Sequence, residues 1–321
     1  MSGPDNINLS VIIPTKNRPH LLQRAMASVA LQNYPGFEVC IADNNTDAEI
    51  SRQVKATVSH FENQYPQIKW LYIHSNKPYA AGTRNDGIAA TQGKYIIFLD
   101  DDDELLPNSI KLRMHEMSAD AGLALLYCAG YSKVYPYPFK MYRYYHYSKQ
   151  LHQHKLMMMS CSSIMINREI FDRNNLHFDE QLSRMEDYDL CRKIIEKGLK
   201  VRSIPLPLVQ INLHPETRMS SQHLISYDFK HRLIARWGQT ADNEIYDYAE
   251  GVYIWRKCFG MSNAPYAEMV ETLKKDFNKT PGLPFKLKYK LVSFSPLLYL
   301  SLYHLLISFS QRRKNKQAHR S

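Results

Sequence analysis

Gly93-Lys94-Tyr95-Ile96-Ile97-Phe98-Leu99-Asp100-Asp101-Asp102-Asp103 sets a short apolar run directly before four consecutive aspartates. The apolar part reads as a buried strand, and the preceding Gly93 as the close of a helix. Carboxylates this close repel and raise one another's pKa, so the cluster is costly unless something positive occupies it. A hard divalent cation that also holds a diphosphate meets that need. Mg2+ takes one or two carboxylates and leaves its other positions to water and phosphate oxygens. Placement agrees, because ligands of open α/β sheets collect at the carboxyl ends of strands. A solvated acidic turn is the plainer reading, and the flanking sequence weighs between the two.

Upstream, strand-like and helix-like segments alternate, the pattern of a mostly parallel sheet flanked by helices. Leu9 to Ile13 reads as a buried strand that stops at Pro14-Thr15-Lys16-Asn17, and Pro19 suits the first turn of a helix running to about Gln32. Phe37 to Ala42 is the second strand, followed by Asp43-Asn44-Asn45-Thr46-Asp47 and a helix to about Phe61. Lys69 to His74 is the third, a Gly-bearing loop and a helix from Thr83 follow, Tyr95 to Leu99 is the fourth, and Pro107 opens another helix. Each strand ends in polar residues, so Thr15, Asn17, Asp43, Asn44 and the aspartates should meet along one edge of the sheet. Gly-x-Gly-x-x-Gly and Gly-Lys-Ser/Thr patterns do not occur, which disfavours a dinucleotide fingerprint and a P-loop.

The 321 residues, 44% hydrophobic and 12% aromatic, suffice for a large core. No apolar stretch follows basic residues at the N-terminus, so no secretory signal is expected. Cys40, Cys128, Cys161, Cys191 and Cys258 are scattered and without Cys-x-x-Cys spacing. That argues for a reducing compartment and against a disulfide framework or structural zinc. A net charge of +10 suggests an anionic partner without naming it.

Four segments in register carry a resemblance: Val11-Ile12-Ile13-Pro14-Thr15-Lys16-Asn17-Arg18, Ile41-Ala42-Asp43-Asn44-Asn45-Thr46-Asp47, Ala80-Ala81-Gly82-Thr83-Arg84-Asn85-Asp86-Gly87-Ile88, and the Gly93–Asp103 run. Residues 9 to 215 resemble family 2 glycosyltransferases of the GT-A fold. The resemblance implies that Pro14, Thr15 and Asn17 line a nucleoside pocket and that Asp43 and Asn44 face the base. Many members carry two aspartates where this chain has Asp43-Asn44. An amide oxygen can still accept the N3 proton of uracil, so a UDP-sugar remains the expected donor. A plain turn is the alternative for Asn44 and Asn45. By the same resemblance Arg84 lies near the diphosphate, Asp102 is the metal ligand for Mg2+ or Mn2+, and Asp100 or Asp101 contacts ribose or metal-bound water. Alternation along an extended chain would put Asp100 and Asp102 on one side, with Asp103 and Glu104 solvated.

A second acidic cluster, Met185-Glu186-Asp187-Tyr188-Asp189-Leu190, opens an amphipathic helix ending near Gly198. Acidic residues suit a helix start, so helix capping is the plain reading. Glu186-Asp187 also resembles the family's acceptor-side motif, which implies Asp187 as general base and Glu186 as a holder of acceptor hydroxyls. Further on, His214 is implied near the metal and Arg218 near the diphosphate, in a loop from Asn212 to Ser220 that could close over the donor. Ser160 to Ser163 is read as an inner strand. The segment from Tyr131 to Tyr147 is either a sugar-stacking surface or a self-packed tyrosine-rich excursion.

After Gln222 the pattern turns helical. Leu291 to Phe309 is an apolar stretch near the ~20 residues that cross a bilayer, with basic residues on both flanks. A segment lying in a membrane surface fits these flanks better than a span, and an apolar helix packed on the catalytic domain is the alternative. The expected organisation is a catalytic domain over 1–222, with a nucleotide-sugar half (1–110) and an acceptor half (111–222), then a helical region over 223–321. The expected enzyme is an inverting transferase acting on a glycan or lipid-linked acceptor, cytoplasmic and peripheral on the inner face of the plasma membrane, with no nucleic-acid partner. A sugar nucleotidyltransferase and a non-catalytic nucleotide-sugar-binding protein are the rivals.

Overall fold

The computed structural model describes residues 7–134, 140–141 and 160–213, all within one compact unit, Met1–Ser221. Its frame is a nine-stranded sheet: β1 (Leu9–Thr15), β2 (Phe37–Asp43), β3 (Lys69–His74), β4 (Tyr95–Phe98), β5 (Glu104–Leu105), β6 (Leu123–Val134), β7 (Lys140–Met141), β8 (Ile164–Asn167) and β9 (Lys200–Leu213). The path runs β3-β2-β1-β4-β8-β6-β9-β5, with β7 paired to β6. Parallel pairing joins β3, β2, β1 and β4 and again β6 and β9, while β8 is inserted antiparallel between β4 and β6. The sequence expectation of a mostly parallel sheet with flanking helices holds.

All seven residues of β1 and of β2 are buried, as expected for strands covered on both faces. Side-chain alternation sorts the core into two layers. Val11, Ile13, Ile97 and Leu99 join Leu22 and Met26 of α1 (Pro19–Ala30) and Val54 and Phe61 of α2 (Ala48–Gln64). Met114 and Met117 of α4 (Ser109–Ser118) complete that layer. Ile12, Ile96 and Phe98 face the other way, onto Ala81 of α3 (Ala80–Ala90), Phe171 of α5 (Arg168–Arg173), and Leu190 and Ile194 of α6 (Glu186–Glu196). Gly87 lets α3 lie close on β1, since a Cβ there would come within 2.5 Å of Ile12 Cγ2.

Helix ends differ from expectation in understandable ways. α3 begins at Ala80, upstream of Thr83, because Tyr79 O accepts from Thr83 N and adds a turn. Asp47 caps α2 as its type predicts, accepting from Glu49 N at 2.7 Å. Ser160–Ser163, expected as a strand, is instead a 3-10 turn over Cys161–Ser163 capped by the Ser160 hydroxyl, and β8 starts at Ile164. Hydroxyl-rich stretches satisfy their own backbone in this way and so compete with strand pairing.

One topological fact positions the site. From β1 the chain steps to β2 and β3 on one side, whereas β4 pairs on the other. The carboxyl ends of β1 and β4 therefore flank the point where strand order reverses, the crevice in which open α/β sheets hold ligands.

Candidate active site

At that crevice Thr15, the last residue of β1, donates from Oγ1 to Asp101 Oδ2 at 2.8 Å. Asp43 ends β2 in register with Thr15 and is fully buried. Its carboxylate accepts from Asn45 N at 2.8 Å and from the Tyr72 hydroxyl at 2.6 Å. Asn44 donates both amide protons, to Ser75 O at 2.9 Å and Lys77 O at 2.7 Å. A carboxylate has no proton to donate in this way, so the asparagine has a structural reason to stand here: it ties down the loop after β3 and leaves Oδ1 as its accepting end. Asn17 adopts φ 60°, and its N–H reaches Asn45 Oδ1 at 2.5 Å, docking the first loop on the second. Pro14 is buried within β1, while Asn17 is exposed.

The aspartates do not continue the strand. Asp103 N donates to Asp100 O at 3.0 Å, closing a tight turn. Curvature replaces the expected extended alternation, yet it still gathers Asp100 and Asp102. Asp100, Asp102 and Asp103 each present a carboxylate oxygen within 4.8 Å of the others. Asp103 is not solvated as expected but 1% exposed. It accepts from the Ser162 hydroxyl at 2.7 Å and from Asn212 N at 3.1 Å. Ser162 Oγ also stands 3.0 Å from Asp100 N. Glu104 is half-buried and pairs with Arg24 Nε at 2.9 Å. Asn212, near the end of β9, donates from Nδ2 to Asp102 O at 2.9 Å.

Arginines hold these carboxylates. Arg18 reaches Asp102 Oδ2 from Nη1 at 3.0 Å and Asp101 Oδ1 from Nη2. Burial pushes the Asp101 carboxyl up to about 7, with Asp102 and Asp100 adding to the rise and Arg18 and Thr15 restraining it. Arg84, 3% exposed in α3, donates from Nη2 to Asp100 Oδ1 at 2.6 Å and from Nη1 to Glu186 Oε1 at 2.7 Å. Its guanidinium lies 5.6 Å from the Phe178 ring centroid, and Phe178 packs edge-on to Phe98. Arg84 therefore joins the two acidic clusters.

Met185, at φ 56°, turns the chain into α6 in the left-handed region that a non-glycine residue adopts only at some cost. Glu186 is largely buried, and Asp187 follows it half-buried at the helix start. Asp187 Oδ1 accepts from Tyr188 N at 2.8 Å. Burial raises the Asp187 carboxyl to about 7, Glu186 adding to the rise while the Tyr188 N–H and Arg84 oppose it. Asp189, read as a capping residue, is fully buried and pairs with Lys193 Nζ at 2.7 Å.

Asp100, Asp102 and Asp103 thus bring together hard oxygen donors of the kind a divalent cation takes. His214 and Arg218 lie outside the described residues, as do most of the Tyr131–Tyr147 segment and all of Leu291 to Phe309. Among the described residues no helix is long and apolar enough to cross a membrane. Sequence reasoning gave no role to Arg18 or Ser162, and it placed Asn212 at the start of a closing loop, whereas Asn212 is fully buried within β9. Arg18 at least stood inside a quoted motif.

Residues 10–174, just over half of the 321-residue chain, match the family described as Glycosyl transferase family 2. The chain belongs to that family. This family 2 glycosyltransferase is 29% identical to the amylovoran biosynthesis glycosyltransferase AmsB of Erwinia amylovora over 68% of its own length and 73% of AmsB. It is 33% identical to the Campylobacter jejuni GalNAc(5)-diNAcBac-PP-undecaprenol beta-1,3-glucosyltransferase, a match spanning only 34% of each chain. The crystal structure of S. aureus TarS 1-349 in complex with UDP-GlcNAc shares its fold, with TM-score 0.56 and 17% identity. That likeness covers 88% of the glycosyltransferase and 76% of the TarS chain.

Proposed function

We propose that the chain transfers a sugar, with inversion at the anomeric carbon, from a UDP-sugar to a lipid-linked or cell-surface glycan acceptor. The observation that carries this reading is Arg84, which sets the strand-end carboxylate Asp100 and the helix-start carboxylate Glu186 on one guanidinium. Donor-side and acceptor-side groups thereby share one crevice. Pro14, Thr15, Asn17, Asp43 and Asn44 border the side where the nucleoside would sit, and Asn44 offers an accepting oxygen for uracil.

Asp100 and Asp102 would hold Mg2+ or Mn2+, which when bound supplies neutralisation of the charge that builds on the departing diphosphate. Asp187 takes the proton from the acceptor hydroxyl as that hydroxyl attacks the anomeric carbon on the face opposite the diphosphate. A carboxyl raised to about 7 is a competent base near neutral pH. Glu186, oriented by Arg84, accepts from neighbouring acceptor hydroxyls.

Support for the acceptor class comes from relatives: one is named for a diphospho-undecaprenol-linked substrate and another for amylovoran biosynthesis. The donor class is supported by TarS, which was crystallised with UDP-GlcNAc. Basic flanks on Leu291 to Phe309 support attachment to a membrane surface, on the inner face of the plasma membrane, by the region after residue 222. The catalytic unit is then 1–222. Incubating the enzyme with a panel of nucleotide sugars, Mn2+ and a polyprenyl-diphospho-glycan tests the reading. Release of UDP that depends on the acceptor is expected. Absence of acceptor-dependent release across the panel would overturn it.

A further inference from the structure

Four adjacent carboxylates at a strand end need positive charge, and in this protein side chains supply part of it. Arg18 leaves the loop after β1 at the start of α1 and spans Asp101 and Asp102, with its side chain only 18% exposed. Asp102 is also one of the three aspartates whose oxygens converge. A guanidinium thus already stands on a carboxylate that a cation would use.

We propose that Arg18 is a built-in counter-ion that makes cation binding dependent on the donor. The inference rests on the metal-assisted reading above and adds an order to it. A bare divalent cation arriving at Asp100 and Asp102 meets Arg18 within a few ångströms, in a site sheltered enough for like charges to repel strongly. A diphosphate reverses the balance, because its negative oxygens face both the cation and the guanidinium. Cation and diphosphate therefore raise each other's affinity, and by linkage they do so to the same degree.

The test is calorimetric titration of MnCl2 into the full-length protein, with and without UDP, for wild type, Arg18→Gln and Arg18→Lys. Arg18→Gln is expected to bind Mn2+ alone about tenfold more tightly than wild type, with UDP enhancing Mn2+ binding less than it does in wild type. Arg18→Lys keeps the charge and is expected to stay close to wild type. General loosening of the site would weaken the metal, so a gain in affinity marks the electrostatic role. Arg18→Met, which keeps the aliphatic stem, repeats the test if the glutamine variant unfolds. Unchanged or weaker Mn2+ binding in the charge-removing variants, while wild type binds Mn2+ with UDP, overturns this inference alone. No Mn2+ binding by wild type even with UDP overturns the metal-assisted reading and takes the inference with it.

Discussion

Arg84 Nη1 stands 2.7 Å from Glu186 Oε1, joining α3 to the start of α6 across the crevice. Its other terminal nitrogen holds Asp100, so one fork fixes the spacing of two carboxylates from distant parts of the chain. Truncation to alanine leaves both acids without their partner. Arg84→Ala is expected to cost about 3–5 kcal/mol in urea unfolding, the usual effect of breaking a buried pair. Arg84→Lys keeps the charge but not the fork, and turnover should fall on the order of 100-fold as the geometry slips. Steady-state kinetics at saturating donor and acceptor would check this. A lysine variant with wild-type turnover would remove Arg84 from the positioning of the site.

The pH dependence of kcat/KM follows from Asp187. As the proposed base Asp187 must be ionised, and burial raises its carboxyl to about 7. Activity should climb about tenfold per pH unit below 7 and level off above it. A profile flat from pH 5 to 8 would contradict the assignment.

Stability carries the opposite sign. The folded-state pKa of Asp187 is raised above the ordinary carboxylate value of 3.8, so the folded protein holds a proton that the unfolded chain has lost between 3.8 and about 7. Its contribution is fully present below the unfolded value and is lost as pH rises through the folded one. Asp187→Asn cannot ionise, so its stability advantage over wild type should grow from pH 4 to 7 and then stay constant. Thermal unfolding of both proteins over that range reads this directly.

Four strand–helix alternations and the acidic run at the end of β4 were legible in the sequence, because both-face burial writes itself as an unbroken apolar string. So was the gathering of Thr15, Asp43 and the aspartates along one edge, since parallel strands end on the same side, whereas the Thr15–Asp101 contact itself required the pairing of β1 with β4. The turn through Asp100–Asp103 was not legible, because nothing in four identical residues marks where an extended chain bends. Burial of Asp103 was equally hidden: its partners Ser162 and Asn212 come from β8's approach and β9's end. Spacing does not encode contacts between strands whose neighbours are settled only by the whole sheet. Arg84 could be picked out by its motif, but its tie to Glu186 required the fold.

Ser162 links the backbone of Asp100 to the carboxylate of Asp103. Ser162→Ala leaves a buried carboxylate oxygen with one donor fewer, and about 1–3 kcal/mol of stability should go with it. Donor affinity should fall too, as the turn that gathers the carboxylates loosens. Urea unfolding and calorimetric titration of UDP with Mn2+ measure the two effects.

The division of labour between the two acidic clusters is tested most directly by Asp187→Asn, assayed in parallel for UDP-sugar binding by calorimetry and for transfer to acceptor. Donor affinity is predicted to stay within about twofold of wild type while transfer falls by about 10²–10⁴-fold, the share that general-base catalysis supplies. Near-normal transfer by that variant would contradict the account.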